Sequence, residues 1–302
     1  MSHFSLDQIF VHSTSTHEFR ICWTQIGASK ASSPTLVFIH GTPWSSVEWQ
    51  DLAANLSTRY NIYLYDHPGF GDSPAPRRLA GTDSDNTDLD PSLRLRAEAS
   101  AALFKHWELD NAPHVIAHDN GGLVSLRLLL QHDIKYASLC LIDVVAISRP
   151  AAIPFFKLVA ENESVFGAIP PQFLEGLIRA YVKDASYKPM SAEVEDMLTA
   201  PWLVNGSQGC ERFLQEMVQA HNRSTTDVEE KYERVGSQTP TKIIWGKDDA
   251  WIPHETAYKL QKAVNAAEVV IVEEAGHLIQ FDQPSRLALE VGLWLNKNSA
   301  DS

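Results

Sequence analysis

The stretch 117–122, Ala-His-Asp-Asn-Gly-Gly, carries a carboxylate in a setting that could make it a nucleophile. An apolar segment typical of a buried strand precedes it, and the apolar, helix-favouring segment 123–130 follows it. Small residues at positions 117, 121 and 122 allow a tight strand-to-helix corner that holds Asp119 outward. A carboxylate held in this way can attack a saturated carbon and form an ester, which water then cleaves. The alternative is that Asp119 only caps the following helix, a position that suits aspartate.

Three other stretches place polar residues shortly after apolar segments. His277 follows the apolar run 269–272, where an imidazole could activate water. Asp249 follows an apolar run that ends at Trp245, and it could hold the imidazole in one orientation. The sequence His-Gly-Thr-Pro at 40–43 follows a third run, and a backbone N–H in such a turn can stabilise an oxyanion.

Together these four stretches resemble the α/β-hydrolase superfamily, in the order nucleophile, acid and histidine that this fold uses. An aspartate at the nucleophile position resembles the branch of haloalkane dehalogenases, haloacetate dehalogenases and epoxide hydrolases. The resemblance implies that Asp119 forms the ester and that His277 activates water. It also implies that the backbone N–H groups of Thr42 and Asn120 form the oxyanion hole.

Two aspartates could orient His277. Asp249 is similar to the acid of the superfamily, because a glycine lies three residues before it and a proline four residues after it. Asp143 ends the predicted strand that follows the nucleophile, and some dehalogenases resemble this arrangement by carrying their acid at that strand end. The motif favours Asp249, with Asp143 as the alternative acid.

Two departures from the family pattern leave the substrate class open. In haloalkane dehalogenases a tryptophan after the nucleophile and an asparagine after His-Gly grip the leaving halide, whereas these positions here hold Asn120 and Thr42. The arginine that follows the nucleophile in haloacetate dehalogenases is also missing. We expect dehalogenase-like hydrolysis of a carbon–halogen bond, with N–H donors supplied by Asn120, Trp44 and Trp202.

An epoxide hydrolase is the first alternative, with Tyr181 or Tyr187 protonating the oxygen of the opening epoxide. A cofactor-free lyase or a ligand-binding protein is a further alternative, because the same fold can carry either function. Hydrolysis is favoured because nucleophile, histidine, acid and oxyanion donors occur together. A binding protein has no physical use for a carboxylate held at a corner with a histidine directed at it.

Alternating strands and helices must position these residues. The pattern predicts an α/β-hydrolase fold, with a mostly parallel sheet flanked by helices. Residues 1–145 and 237–302 are predicted to form the body. Residues 146–236 contain short amphipathic helices separated by prolines, and we expect them to form a helical lid (cap) inserted after the strand ending at Asp143. Asp119 and Asp143 fall at carboxyl ends of strands, where ligands bind in such sheets.

Composition and charge limit the possible partners. The 302 residues carry a formal net charge of −13, which argues against nucleic acid and anionic membranes. The three scattered cysteines suit neither a disulfide framework nor a metal cluster, and no secretory signal or membrane-spanning apolar run is visible. We therefore expect a cytoplasmic enzyme that acts on a small molecule without a metal or organic cofactor. Its oligomeric state is left open, and the polar segment 77–92 is expected to be an exposed loop.

Overall fold

A mostly parallel β-sheet lies at the centre of the computed structural model, which describes residues 4–28, 33–79, 91–147, 154–204, 207–219 and 226–299. The described residues form nine strands: β1 (Gln8–Ser13), β2 (His17–Gly27), β3 (Thr35–Ile39), β4 (Asn61–Tyr65), β5 (Arg77–Arg78), β6 (His114–His118), β7 (Ser138–Ile142), β8 (Thr241–Gly246) and β9 (Glu268–Val272). Their order is β1-β2-β4-β3-β6-β7-β8-β9, and β5 pairs with β2. Strand β2 pairs antiparallel with β1, β4 and β5, and all other pairs are parallel, so the predicted sheet is confirmed.

The central strands are apolar because both faces of the sheet are covered. Strands β6 and β7 are buried along their whole length. Successive residues enter two separate apolar clusters, so that Ala117 and Leu141 belong to one and Ile116 and Ile142 to the other. Side chains alternate between the two faces of a strand, and continuous apolar runs are therefore typical of a sheet with helices on both sides.

Helices connect and cover the strands. They are α1 (Gln50–Leu56), α2 (Pro91–His106), α3 (Asn120–Gln131), α4 (Pro154–Glu161), α5 (Glu163–Gly167), α6 (Pro171–Asp184), α7 (Ala192–Leu203), α8 (Ser207–Gln219), α9 (Thr226–Glu229), α10 (Val235–Gln238), α11 (Glu255–Val264), α12 (Ile279–Asp282) and α13 (Pro284–Ser299). Within the described ranges, no helix has the length and apolar character needed to cross a membrane.

Three local features refine the predicted pattern. A 3₁₀ turn, Ser46–Trp49, precedes α1, which is common at the start of α-helices. The prolines of 146–236 are predicted to separate helices, but Pro201 lies inside α7. In this last turn the Trp202 side chain is buried, and Arg212 donates to the Pro201 carbonyl at 2.9 Å. The polar segment 77–92 lies largely outside the described residues, although its first two residues form β5.

The regular secondary structure described between β7 and β8 is helical, from α4 to α10. Its contacts with the rest of the chain include buried polar ones. The Trp202 indole N–H donates to the Pro43 carbonyl at 2.8 Å. Arg96 on α2 forms a buried ion pair with Glu216 on α8. This segment therefore packs directly against the carboxyl ends of the strands.

The register of the central strands brings two aspartates side by side. His118 at the end of β6 pairs with Ile142 at the end of β7, so Asp119 and Asp143 follow at the same edge of the sheet. The N–H of Asp119 donates to the Ile142 carbonyl at 3.2 Å, which continues the ladder by one residue. Parallel strands β3 and β8 end at this edge as well.

Candidate active site

Asp119 occupies the tight corner between β6 and α3. Its φ of 49° lies in the left-handed region, which an aspartate adopts at an energetic cost, and its side chain is buried. Two glycines make this corner possible. A Cβ atom on Gly41 would collide with the Asp119 side chain, and one on Gly121 would collide with the His40 carbonyl. The corner therefore holds the carboxylate in one place between neighbouring loops.

The two carboxylate oxygens of Asp119 face different partners. Oδ1 accepts a hydrogen bond from the Thr42 backbone N–H at 2.7 Å. Oδ2 lies 3.4 Å from Nε2 of His277, slightly longer than an ordinary hydrogen bond. Asn120 is buried and is the first residue of α3, so its backbone N–H is one of those at a helix start that have no partner within the helix.

Asp249 holds the other side of His277. Nδ1 of His277 donates to Oδ2 of Asp249 at 2.9 Å. The second oxygen of Asp249 accepts hydrogen bonds from the N–H groups of Trp251 and Ile252, at 2.8 and 2.9 Å. These three bonds fix the carboxylate, and the carboxylate in turn directs Nε2 of the imidazole toward Asp119. The structure thus brings together Asp119, His277 and Asp249.

Asp143 lies close to this group but has a different partner. Its Oδ1 accepts the Gly246 N–H at 2.8 Å, and its Oδ2 is buried with no hydrogen-bond partner among the described residues. Burial and the neighbouring charge of Asp249 hold the pKa of Asp143 well above its usual range. A carboxyl with a raised pKa is less suited than Asp249 to supply the negative charge that orients and stabilises an imidazolium.

Asp119 and His277 each stabilise the charged form of the other. Burial alone would lower the pKa of His277, but the carboxylates of Asp249 and Asp119 outweigh it and raise the pKa to about 10. Burial alone would raise the pKa of Asp119, but His277 and the Thr42 N–H lower it below the usual value. At neutral pH the site therefore contains two carboxylates with an imidazolium between them.

Aromatic rings cover this group from the side of the helical segment. The ring of Trp251 lies 4.9 Å from that of His277 and stacks on Tyr181 at 4.4 Å and on Trp44 at 6.0 Å. Sequence reasoning missed Trp251, although it lies two residues after Asp249, within the motif that identifies that acid. Trp44 is buried, and its indole N–H has no hydrogen-bond partner among the described residues. This N–H is available to a ligand.

Two residues predicted to bind the leaving group are not placed to do so: the Trp202 N–H already has an acceptor, and Tyr187 lies outside the buried ring cluster. Trp202 is buried, but its N–H already donates to the Pro43 carbonyl, so it is not available to a leaving halide. Tyr187 is 51% exposed, and its backbone N–H bonds to Asp282. It therefore does not belong to the buried ring cluster. Tyr181 does belong to that cluster, as the stacking on Trp251 shows.

Sequence reasoning also missed a buried cation beside the loop that contains Thr42. Arg96 lies with its guanidinium 3.4 Å from the Thr42 hydroxyl and 4.3 Å over the ring of Phe70, and it pairs with Glu216. No short motif marks this residue, because the partners of Arg96 come from distant parts of the chain. Its charge stands next to the loop that holds Asp119.

A second histidine, His118, contacts the backbone of His277. Nε2 of His118 donates to the His277 backbone carbonyl at 2.9 Å, and its Nδ1 lies 3.2 Å from Glu48. All three side chains are buried. His118 therefore links the corner that carries Asp119 to the loop that carries His277. Its place directly before Asp119 was the available signal. Across the described ranges, no group of three or more histidine, cysteine, aspartate or glutamate side chains could hold a metal ion.

Comparison with known proteins places the chain in a family. The alpha/beta hydrolase family model matches residues 36–291. An alpha/beta hydrolase fold protein from Burkholderia ambifaria is 32% identical, with a TM-score of 0.81 over 95% of this chain and 97% of that one. A protein of Pseudomonas syringae pv. syringae named as the carbamate hydrolase RutD is 27% identical over 271 residues, 89% of this chain and 93% of its own length.

A haloalkane dehalogenase, DbeA from Bradyrhizobium elkani, shares the fold with a TM-score of 0.70 over 98% of this chain and 100% of that one. At 15% identity this likeness concerns the fold alone. The family model, by contrast, matches most of the chain, including the positions of Thr42, Asp119, Asp249 and His277. The chain belongs to the alpha/beta hydrolase family.

Proposed function

We propose that this α/β hydrolase uses Asp119 to form, and then hydrolyse, a covalent ester with a small organic substrate. The observation that supports the proposal is that the two oxygens of the Asp119 carboxylate have different partners. Thr42 holds Oδ1 through its backbone N–H at 2.7 Å, and His277 stands 3.4 Å from Oδ2. One oxygen is thereby placed to become the ester carbonyl, and the other is placed to attack.

In the first step, Oδ2 of Asp119 attacks an electrophilic carbon. A bond forms between this oxygen and the carbon, and the leaving group departs with its electron pair. No proton has to be removed from the nucleophile, because the pKa of Asp119 lies below its usual value and the group is ionised at neutral pH. This distinguishes an aspartate from a serine nucleophile, which needs a base from the start.

The ester changes the chemistry of His277. Esterification removes the negative charge of Asp119, which is one of the two charges that raise the pKa of His277 to about 10. The pKa of the imidazolium then falls, so His277 can release its Nε2 proton to bulk water, as the one proton that the overall reaction liberates, and act as a base. Only the covalent intermediate therefore contains an active base, while the Asp249 carboxylate continues to orient the ring.

In the second step, His277 accepts a proton from water as the water oxygen attacks Cγ of Asp119. The negative charge develops on Oδ1, where the N–H groups of Thr42 and Asn120 stabilise it. Collapse of this intermediate breaks the bond between Cγ and Oδ2, and Oδ2 leaves as the oxygen of the product alcohol with the proton from His277. The new carboxyl then gives its remaining proton to His277, which restores the imidazolium. Asp119 is regenerated with one oxygen that comes from water.

For the leaving group, we favour a halide or a similar anion. The supporting observation is the buried N–H of Trp44, which has no hydrogen-bond partner among the described residues. An epoxide would need a proton donor over Asp119. Of the two tyrosines predicted to donate this proton, Tyr181 is buried in the ring cluster and Tyr187 is half exposed. We further propose that residues 146–236 act as the lid of this site, since α7 and α8 contact Pro43 and Arg96 directly.

Attack at a carbonyl carbon is a second candidate function. Its support is the 27% identity, over 89% of this chain, to the protein named as a carbamate hydrolase. With such a substrate Asp119 would form a mixed anhydride, and Thr42 and Asn120 would stabilise the same oxyanion during its hydrolysis. The two candidates differ in the atom attacked and in the product released. Lyase chemistry and pure ligand binding differ from both, because they leave the Asp119 oxygens unexchanged.

One set of measurements tests these assignments. Haloalkanes, haloacids, epoxides, carbamates and esters are assayed for release of halide, diol, amine or alcohol. With an active haloalkane, His277→Phe should stop after the first step, and intact-protein mass spectra should show the alkyl group on Asp119. Asp119→Asn is the matched control and should show no adduct. Turnover by the native protein without any adduct on His277→Phe contradicts the covalent mechanism.

Water enriched in ¹⁸O separates hydrolysis from lyase or base chemistry. Over many turnovers the covalent route introduces heavy oxygen into the Asp119 carboxylate, which peptide mass spectrometry detects. In the first turnover the product receives the original, light oxygen of Asp119. An unlabelled Asp119 after many turnovers assigns it the role of a general base or a polar anchor instead.

A further inference from the structure

The hydroxyl of Thr42 connects the loop that holds Asp119 to a buried arginine. Thr42 is 2% exposed, and Nη1 of Arg96 on α2 lies 3.4 Å from its side-chain oxygen, a long hydrogen bond. Among the described residues, this guanidinium is the partner of the hydroxyl. The backbone N–H of the same threonine donates to Oδ1 of Asp119 at 2.7 Å. A shift of the Thr42 side chain therefore moves the donor that Asp119 receives.

The guanidinium of Arg96 is in turn held by the helical segment. It forms a buried ion pair with Glu216 on α8, and it lies 4.3 Å over the ring of Phe70. A buried charge without a counter-charge strongly destabilises a fold, so the Glu216 carboxylate allows the arginine to stay in this place. The aromatic ring beneath the planar guanidinium also fixes its orientation. The position of α8 therefore determines where Arg96 meets Thr42.

These contacts end at a group whose position has a small tolerance. An oxyanion donor is effective when it lies about 2.7 to 3.1 Å from the oxygen on which charge develops. A displacement of about 1 Å can lower the rate by about 10²-fold. The Thr42 nitrogen lies 2.7 Å from Oδ1 of Asp119, so a small movement of its loop weakens this interaction.

We propose that Arg96 and Glu216 are positioning residues for the oxyanion donor of this site. Glu216 holds the guanidinium, the guanidinium holds the Thr42 hydroxyl, and Thr42 then directs its backbone N–H at Asp119. The donor is complete only while α8 packs against α2, so hydrolysis of the ester requires the helical segment to be in place. The kinetic consequence rests on the proposed covalent mechanism, whereas the effect on the Thr42 N–H does not.

The amide proton of Thr42 reports on this positioning without any substrate. A short hydrogen bond to a carboxylate shifts an amide proton downfield and slows its exchange with solvent. In protein labelled with ¹⁵N-threonine, the signal that disappears in Thr42→Ser is that of Thr42. Arg96→Met should move this signal upfield and speed its exchange, because the buried hydroxyl loses its partner and rotates. Glu216→Gln keeps an oxygen acceptor for Arg96 and should cause a smaller shift in the same direction.

Arg127→Met is the matched control for stability. Arg127 is also buried, and it joins α3 to Asp227 on α9, so its removal breaks another ion pair between the body and the helical segment. The Tm should fall in Arg127→Met as it does in Arg96→Met, but the Thr42 signal should stay in place. A role of Arg96 in stability alone would leave the Thr42 signal unchanged in both variants.

With a substrate that leaves an adduct on His277→Phe, loss of Arg96 should slow the second step alone. The oxyanion develops when water attacks the ester, so kcat of Arg96→Met should fall by about 10- to 100-fold. The ratio kcat/KM reports on formation of the ester, and it should stay within about threefold. The ester on Asp119 should then accumulate during turnover and appear in mass spectra of acid-quenched protein. An arginine that contacted the substrate or the leaving group would lower kcat/KM as well.

A double-mutant cycle tests whether Arg96 acts through the Thr42 hydroxyl. Thr42→Val removes the hydroxyl but keeps the branched shape and the backbone N–H, so it should lower kcat about as much as Arg96→Met. Because both changes remove the same contact, kcat of the double variant should lie within about threefold of either single variant. Thr42→Ser keeps the hydroxyl and should retain most of kcat.

Two results would overturn the proposal. One is a Thr42 amide signal at its native position in both Arg96→Met and Glu216→Gln; if Arg96→Met does not fold, Glu216→Gln decides alone. The other is a pair of kcat losses that multiply in the double variant, which would mean that Arg96 acts independently of the hydroxyl. Failure of the covalent mechanism is a separate outcome: His277→Phe would then show no adduct, while the Thr42 signal would still respond to Arg96 and Glu216.

Discussion

Nε2 of His277 lies 3.4 Å from Oδ2 of Asp119, so nucleophile and base form an ion pair in the resting protein. This pairing has a testable consequence for the histidine. The pKa of His277 is raised to about 10 by the Asp249 and Asp119 carboxylates acting against burial. His277 should therefore remain an imidazolium throughout the neutral range. Nitrogen-15 NMR of the imidazole, recorded from pH 5 to pH 11, measures this directly.

Removal of the Asp119 charge should lower the pKa of His277. In Asp119→Asn one of the two stabilising carboxylates is gone, while burial continues to disfavour the charged ring. Asp143→Asn is the matched control, because Asp143 bonds to the Gly246 N–H rather than to His277, and its replacement should change the His277 titration little. An unchanged His277 pKa in Asp119→Asn would show that the Asp119 charge does not raise the pKa of His277. The proposed change of His277 from acid to base would then be wrong.

The same pKa shift predicts how stability depends on pH. A histidine whose folded-state pKa exceeds its unfolded value of 6.5 stabilises the fold fully below pH 6.5. This contribution is lost as the pH rises through about 10. The free energy of unfolding, measured by urea titration, should decline over that window in the native protein. In His277→Gln the decline should be smaller, and an identical decline in both proteins would assign it to other groups.

The two candidate acids should differ strongly in their effect on turnover. Asp249→Asn removes the charge that orients His277, and kcat should fall by about 10² to 10⁴. Asp143→Asn keeps an acceptor for the Gly246 N–H and removes no hydrogen bond to His277, so kcat should stay within about threefold. Steady-state kinetics on one active substrate measure both variants. The reverse ranking would transfer the role to Asp143.

Trp44 should matter for catalysis through its N–H rather than through its ring. Trp44→Phe keeps an aromatic ring near Trp251 but removes the donor, and kcat for a carbon–halogen substrate should fall by about 10- to 100-fold. Trp202→Phe is the control, since its N–H already serves the Pro43 carbonyl. It should affect KM through the helical segment more than kcat. A Trp44→Phe enzyme with full kcat would remove the indole from the list of leaving-group donors.

His118 should act as a positioning residue for His277. His118→Leu removes the donor to the His277 carbonyl, and kcat should drop while KM changes little. His118→Gln can place an amide N–H near the same carbonyl, so it should restore most of kcat. A purely structural role would instead give similar losses in both variants, together with a lower Tm in both.

The body of the fold and the central site follow from local patterns in the sequence. Apolar runs at 35–39 and 138–142 predicted strands because both sheet faces are covered, and parallel strands place their carboxyl ends at one edge. The motif spacing at Asp249 and His277 then predicted residues that the structure brings within 2.9 Å of each other. These features depend on short-range sequence alone.

The rest of the site depends on contacts between distant parts of the chain. Whether an indole N–H is free or engaged cannot be read from its neighbours, since Trp202 lies 159 residues from its acceptor at Pro43. The pairing of Arg96 with Glu216 spans 120 residues and carries no motif. Tyr187 is predicted as a proton donor only because it is a tyrosine, and the residue type does not determine how exposed its side chain is.

The close contact between the rings of Trp251 and His277, 4.9 Å apart, makes the reaction visible without a label. An imidazolium next to an excited indole accepts an electron from it and quenches its fluorescence, whereas a neutral imidazole does so weakly. If His277 loses its proton when the ester forms, emission from Trp251 should brighten with the covalent intermediate and dim again as Asp119 is released. The chain has eight tryptophans, and the emission of those other than Trp251 is a background that Trp251→Phe measures separately. Stopped-flow fluorescence could therefore follow each half of the catalytic cycle in the unmodified protein.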